Sequence, residues 1–241
     1  MLRPVYLFTD FSTQGPYVGQ LHARIVAEDV ALRVIDLMHD APPMRPDLAA
    51  YLLPASCAAL PEGSVVLGVV DPGVGSARRA LVVETARSTF IGPDNGLFSQ
   101  LPDIRRVAEI TWRPDELAPS FHGRDLFAPV AARLASGRPV ACTELPLQAW
   151  VGEDWPVGLP AVVYIDGYGN VMIGINRKNT PEINSVAVGK QPLPRAETFS
   201  DVPPGSAFWY WNSLGLLEIA VNGGSAAKRF SLALGDKVLV D

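Results

Sequence analysis

The chain has 241 residues, 48% of them apolar, with 20 Lys+Arg against 25 Asp+Glu for a formal net charge of −5. That length holds one large domain or two modest ones, and the negative balance leaves no global basic field to hold nucleic acid. Basic residues adjoin only as the pairs Arg78-Arg79, Arg105-Arg106, Arg177-Lys178 and Lys228-Arg229. No uncharged apolar stretch is long enough to span a bilayer, and the Met1-Leu2-Arg3-Pro4 start carries no signal-peptide core, so a cytoplasmic, membrane-free protein is expected. Cys57 and Cys142 then read as two buried, reduced thiols.

Val5 to Phe8 is strand-like and runs into Thr9-Asp10. Tyr17, Val18, Leu21, Ile25 and Val26 follow at helical spacing. Leu32 to Leu37 is a second strand, and Pro46 to Leu60 a helix with Pro46 in its first turn. Val65 to Val70 is a third strand, Ala80 to Glu84 a fourth, and Thr89 to Ile91 a short one before Gly92-Pro93-Asp94-Asn95-Gly96. Val107 to Ile110 is a further strand, and Asp125 to Leu134 a helix. This alternation predicts an α/β fold: an N-terminal, mostly parallel sheet flanked by helices, over 1–150. The Pro-, Gly- and Trp-rich stretch from Gly137 to Pro160 has no period and reads as linker and edge. From Ala161 on, helical patterns vanish and six short β-like runs appear, predicting a smaller C-terminal antiparallel β domain over 151–241.

The chemistry concentrates at strand ends. The run Val65–Val70 stops on Asp71, then Pro72-Gly73-Val74-Gly75 turns the chain toward Arg78-Arg79. Open α/β sheets place ligands beyond the carboxyl ends of their strands, so a carboxylate and a guanidinium meeting there form a candidate site. Asp10 and Asp36 end two other strands, and Asp94-Asn95 follows a third. If those strands are neighbours, the acids share one rim, although helix capping and turn formation also favour Asp at such places. His22 lies inside a helical pattern, His39 follows the second strand, and His122 precedes a helix. No ligand spacing such as His-x-x-x-His links them, so no metal site is expected. Walker, dinucleotide-fingerprint and serine-elbow motifs do not occur. Asp166-Gly167-Tyr168-Gly169-Asn170 reads either as an ordinary hairpin or as a polar turn facing a ligand with the flat Tyr168 ring.

Several separated motifs agree on one family: Thr9-Asp10-Phe11, Gly15 to Gly19, Asp36 to His39, Val69 to Gly75 with Arg78-Arg79, Pro93 to Leu97, Phe121 to Asp125, Asp166 to Asn170, and Asn212 to Gly215. In this order, across nearly the whole chain, they resemble the S-adenosyl-L-methionine hydrolases (hydroxide adenosyltransferases), relatives of the fluorinases and chlorinases. The resemblance implies a homotrimer whose active site lies between the N-domain of one subunit and the C-domain of its neighbour. It implies a catalytic triad of Asp71, Arg78 and His122, and a ribose-binding carboxylate at Asp10. It also implies substrate contacts from Tyr17, Asn95, Asp166, Tyr168, Asn170, Ser213, Glu218 and Val221, with the small-molecule substrate S-adenosyl-L-methionine and no cofactor.

Departures from the family pattern favour hydrolase over halogenase. His122-Gly123 stands where halogenases carry Tyr-Ser, Leu214 where they carry an Arg, and the long insertion after the strand near Val83 is absent. Ser12 replaces a usual Gly, and Tyr168 a usual Phe. A guanidinium beside Asp71 makes it a weaker base, so Asp71 is expected to orient water and His122 to accept its proton.

Overall fold

The computed structural model describes residues 2–180 and 182–241. The chain forms two compact units. The first runs up to Leu53 and from Ala59 to Trp155; the second comprises Pro54–Ala58 and Pro156–Asp241.

In the first unit, β1 (Val5–Thr9), β2 (Val34–Met38), β3 (Ser64–Val69), β4 (Ala80–Thr85), β5 (Ser88–Pro93), β6 (Ile104–Ile110) and β7 (Cys142–Leu145) form one sheet in the order β2-β1-β3-β5-β4-β6-β7. The sheet is parallel from β2 through β5 and antiparallel from β5 through β7. β1 and β3 are buried at every position, which explains their unbroken apolar sequences: a strand covered on both faces has no solvent side to mark with polar residues. Leu21 and Ile25 of α1 (Tyr17–Glu28) and Val130 and Ala131 of α3 (Ala128–Ala135) pack with Val5, Leu7, Val65 and Leu67 in one core. A third helix, α2, spans Pro46–Cys57.

Parallel pairing of β1 with β3 sets Thr9 beside Val69. Asp10 and Asp71 therefore emerge at the same rim, and Asp94 follows β5, the other parallel neighbour of β3. Asp36 does not end its strand: it lies within β2, opposite Leu7. Its carboxylate sits 2.6 Å from His22 Nε2 and 3.0 Å from His39 Nε2. His39 Nδ1 in turn lies 2.7 Å from the buried Thr9 hydroxyl. Two of the three histidines are thus spent on bracing β2 and the turn after β1.

Part of the stretch read as linker is ordered as β7, which pairs with β6 at the sheet edge. The helix expected from Asp125 opens instead with a π-helical turn, Gly123–Phe127, directly after His122. Such turns recur at functional sites because the wider ring re-aims side chains.

The second unit contains β8 (Leu159–Ile165), β9 (Val171–Asn176), β12 (Ala207–Trp211) and β13 (Leu216–Val221), antiparallel in the order β12-β13-β9-β8. A three-stranded sheet joins β10 (Val186–Val188), β11 (Gln191–Leu193) and β14 (Leu239–Val240). Val162, Ile173, Trp209, Leu217 and Ile219 form its core. Contrary to expectation, helical turns survive here: a 3-10 turn, Phe199–Asp201, and α4 (Ala226–Phe230), capped by Ser225, whose hydroxyl accepts from Lys228 N–H at 3.2 Å. Segments this short are too brief for a periodic apolar pattern, so composition could not signal them. Cys57 and Cys142 are free thiols, and burial pushes Cys57 up to about 12.

Candidate active site

Each unit carries a cavity lined by candidate residues. That of the first unit, about 570 Å³, lies at the rim where β1 and β3 end, and Asp10, Asp71 and His122 line it. The loop after β3 folds Arg78 onto Asp71. Arg78 Nε lies 2.9 Å from Oδ1 and 3.0 Å from Oδ2, and Nη2 donates to Oδ2. Arg78 Nη2 also lies 3.2 Å from His122 Nδ1, and its guanidinium stacks 5.1 Å from the centre of the Phe127 ring. The ion pair is nearly dry, with Asp71 and Arg78 side chains 5% and 9% exposed, so its charges are weakly screened.

The loop's path depends on Gly75. Its φ of +81° suits glycine, and an added Cβ would lie 2.7 Å from the Pro119 carbonyl oxygen. The close approach brings the Asp71–Arg78 loop against the segment that leads to His122.

Burial, followed by the Arg78 charge, holds His122 below the ordinary imidazole value. It also raises Asp10, partly offset by the Met44 N–H that donates to Oδ2 at 2.9 Å. Ser12 adopts φ +61°, the left-handed region where glycine is favoured. Phe11, Tyr17 and Phe121 meet edge-to-face with centroids 5.5–6.1 Å apart and form an aromatic wall beside Asp10.

The cavity of the second unit, about 870 Å³, is lined by residues from the β8–β9 turn and from β12 and β13. Asp166 organises the turn. Oδ1 accepts from Tyr168 N–H and Asn170 N–H, both at 2.9 Å, and Oδ2 accepts from Asn170 Nδ2 at 3.0 Å. Gly169 (φ +84°) passes so close to Ser225 that a Cβ would lie 2.0 Å from its hydroxyl oxygen. Across the cavity, Glu218 is 3% exposed. It accepts from the Tyr210 hydroxyl and from Asn212 Nδ2, the latter at 2.7 Å. Burial raises the Glu218 carboxyl, against those two donors, and raises Tyr210 as well.

Two family models, the SAM hydroxide adenosyltransferase N-terminal and C-terminal domains, match residues 5–144 and 160–239. The chain belongs to the SAM hydroxide adenosyltransferase family. It is 40% identical to an (R)-S-adenosyl-L-methionine hydrolase of Thermus thermophilus, over 97% of this chain and 98% of that one. A fluorinase of Actinopolyspora mzabensis is more distant, at 24% identity over 99% of this chain and 97% of the other. Among solved structures, a Thermotoga maritima protein superposes with a TM-score of 0.87 at 29% identity, covering 98% of this chain and 99% of that one.

In this adenosyltransferase-family chain, the candidate residues fall into two groups. Asp10, Tyr17, Asp71 and His122 line the first cavity, with Arg78 bonded to two of them. Asp166, Tyr168, Asn170, Ser213, Glu218 and Val221 line the second. Asn95 lines neither: its amide donates to the Val70 carbonyl at 2.8 Å. Asp94, a rim acid by sequence, is bound to Arg79 and to Val151 N–H. Among the described residues no three His, Cys, Asp or Glu side chains gather as a metal-binding group. Phe11, Met44 and Phe121 in the first cavity, and Tyr210 and Asn212 in the second, were not anticipated. Phe11, Phe121 and Asn212 sit inside the quoted motifs and were legible there. Met44 and Tyr210 carry no local signal.

Proposed function

We propose that this protein is an enzyme that hydrolyses S-adenosyl-L-methionine to adenosine and L-methionine. The observation that carries the reading is the Asp71–Arg78–His122 constellation on a cavity that also holds Asp10, within a chain of this family. Water attacks the ribose C5′ in line with the sulfur, and the sulfonium departs as a neutral thioether, so the leaving group needs no proton.

The nucleophile is the difficulty. Ionising water outright at pH 7 costs roughly nine pK units, about 12 kcal/mol. Partial deprotonation during attack is less demanding and contributes about 10²–10⁴-fold. Holding water and C5′ in line contributes more, up to about 7–11 kcal/mol.

The proton's destination follows from the Arg78 contact. A guanidinium only donates, so His122 Nδ1 accepts, and the neutral ring carries its proton on Nε2. His122 then presents an N–H donor to the water oxygen. We assign the proton acceptor to Asp71 rather than to His122. Among the described residues, Asp71 Oδ1 takes a single bond, from Arg78 Nε, and keeps a lone pair. Arg78 holds both partners in register.

In this reading Asp10 binds the ribose hydroxyls, Tyr17 closes over the sugar, and the second-unit residues Asp166, Tyr168, Asn170, Ser213, Glu218 and Val221 contact the remainder of the substrate. Each cavity holds only half of the implied site. On the family resemblance, the reading includes a homotrimer in which the first-unit cavity of one copy meets the second-unit cavity of a neighbour. The enzyme uses no metal or cofactor and works in the cytoplasm; among the described residues no helix is long and apolar enough to cross a membrane.

Incubation with each sulfonium epimer, followed by chromatography of adenosine and methionine, tests the reaction; the Thermus relative is named for the (R) form. Adenosine binding with no methionine release would reduce the protein to a nucleoside-binding module. A 5′-halogenated nucleoside formed in chloride or fluoride would make it a halogenase. Mixing His122→Ala and Asn170→Ala subunits tests the shared site, which requires activity to recover in the mixture.

A further inference from the structure

The loop bearing Asp71 and Arg78 leaves the sheet at Val70 and returns at Arg79, and one turn, Asp94-Asn95, holds both ends. Asn95 Nδ2 donates to the Val70 carbonyl at 2.8 Å. Its Oδ1 accepts from Leu97 N–H at 3.3 Å, which fixes which way the amide points. At the other end, Asp94 N–H donates to the Arg79 carbonyl at 3.0 Å. That same oxygen accepts from Arg78 Nη1 at 3.2 Å. The Asp94 carboxylate, almost fully buried, accepts from Arg79 Nε at 2.7 Å and Val151 N–H at 2.8 Å. The adjacent arginines are thus divided: Arg78 serves the reacting centre and Arg79 secures the turn that steadies it.

The Val70 carbonyl lies in the peptide plane that contains the Asp71 nitrogen. Fixing that plane fixes the Asp71 Cα and the N–Cα axis about which its side chain swings. We propose that Asn95 is a positioning residue rather than a substrate contact: by holding the Val70 carbonyl it aims the Asp71 carboxylate at Arg78 and at the attacking water. The inference rests on the hydrolase reading of the triad for its kinetic consequence, but not for its geometric one.

The test is Asn95→Ser. Serine can still accept from Leu97 N–H but is too short to reach the Val70 carbonyl, and it adds no charge. The expected kcat falls by about 10- to 10²-fold, as for a small misplacement of reacting groups, while KM stays within about twofold by the same reasoning. A second readout is the His122 ring titration by NMR, assigned with His122→Ala. Loosening Asp71 moves both charges that act on the buried His122 ring, Arg78, which lowers it from 3.2 Å off Nδ1, and Asp71, which raises it, so the His122 midpoint departs from its wild-type value. A raised KM with kcat retained overturns the proposal and makes Asn95 a substrate contact. A His122 midpoint equal to that of wild type also overturns it, whatever kcat does. Where Asn95→Ser does not fold, Asn95→Ala is measured in the same way. If the wild type releases no methionine, the hydrolase reading fails, and the titration alone decides the positioning role.

Discussion

Replacing Arg78 with lysine keeps the charge and removes the fork. At a charge separation of about 4 Å and an effective dielectric near 20, the attraction to Asp71 is about 4 kcal/mol, and an ammonium retains most of it. An ammonium at the end of a flexible stem cannot stand at once where Nε, Nη2 and Nη1 stand against Asp71, His122 and the Arg79 carbonyl. One charge-assisted hydrogen bond lost at the reacting centre is worth about 1.5–3 kcal/mol. At about 1.36 kcal/mol per tenfold, kcat for adenosine release falls roughly 10- to 150-fold. Arg78→Ala differs in kind, because it leaves the 5%-exposed Asp71 side chain without its partner. That variant loses about 3–5 kcal/mol of stability as well. Steady-state kinetics with thermal melts on both variants separates the two effects. A kcat for Arg78→Lys within twofold of wild type refutes the requirement for the fork.

The depressed His122 keeps its neutral ring as pH falls, so the acid limb of kcat/KM should lie below about 6.5, the ordinary imidazole value. A limb above that value contradicts the burial and the Arg78 contact. His122→Gln, which retains a donor in place of Nε2–H, should keep at least tenfold more turnover than His122→Ala; equal losses would return the base role to His122. Asp10→Ala should weaken adenosine binding by roughly 10- to 10²-fold, the worth of hydrogen bonds to a charged acceptor, and unchanged calorimetric affinity would exclude Asp10 from the sugar. Gly75→Ala should lose more than about 1 kcal/mol in a denaturant melt, with a fall in kcat, because the new methyl has no room beside Pro119.

Local chemistry was legible from the chain alone. Val65–Val70 had to be a doubly covered strand, because nothing in it could face water, and Asp71 had to stand at its end. The Asp166–Asn170 turn closes on itself within five residues, so its side-chain bonds follow from sequence spacing. The Arg78 fork lies seven positions from Asp71, close enough for a Pro-Gly turn to imply it. Tertiary structure decided the rest. The contact between Arg78 and His122 spans 44 positions, and it, not residue type, fixes which imidazole nitrogen carries the proton. Asp36 and Asp94 resemble Asp71 as acids near strand ends. Only strand register places Asp36 inside β2 against two histidines, and only packing commits Asp94 to Arg79. A side chain's type sets which bonds it can make; which partner it meets depends on strand order, which short-range spacing does not encode.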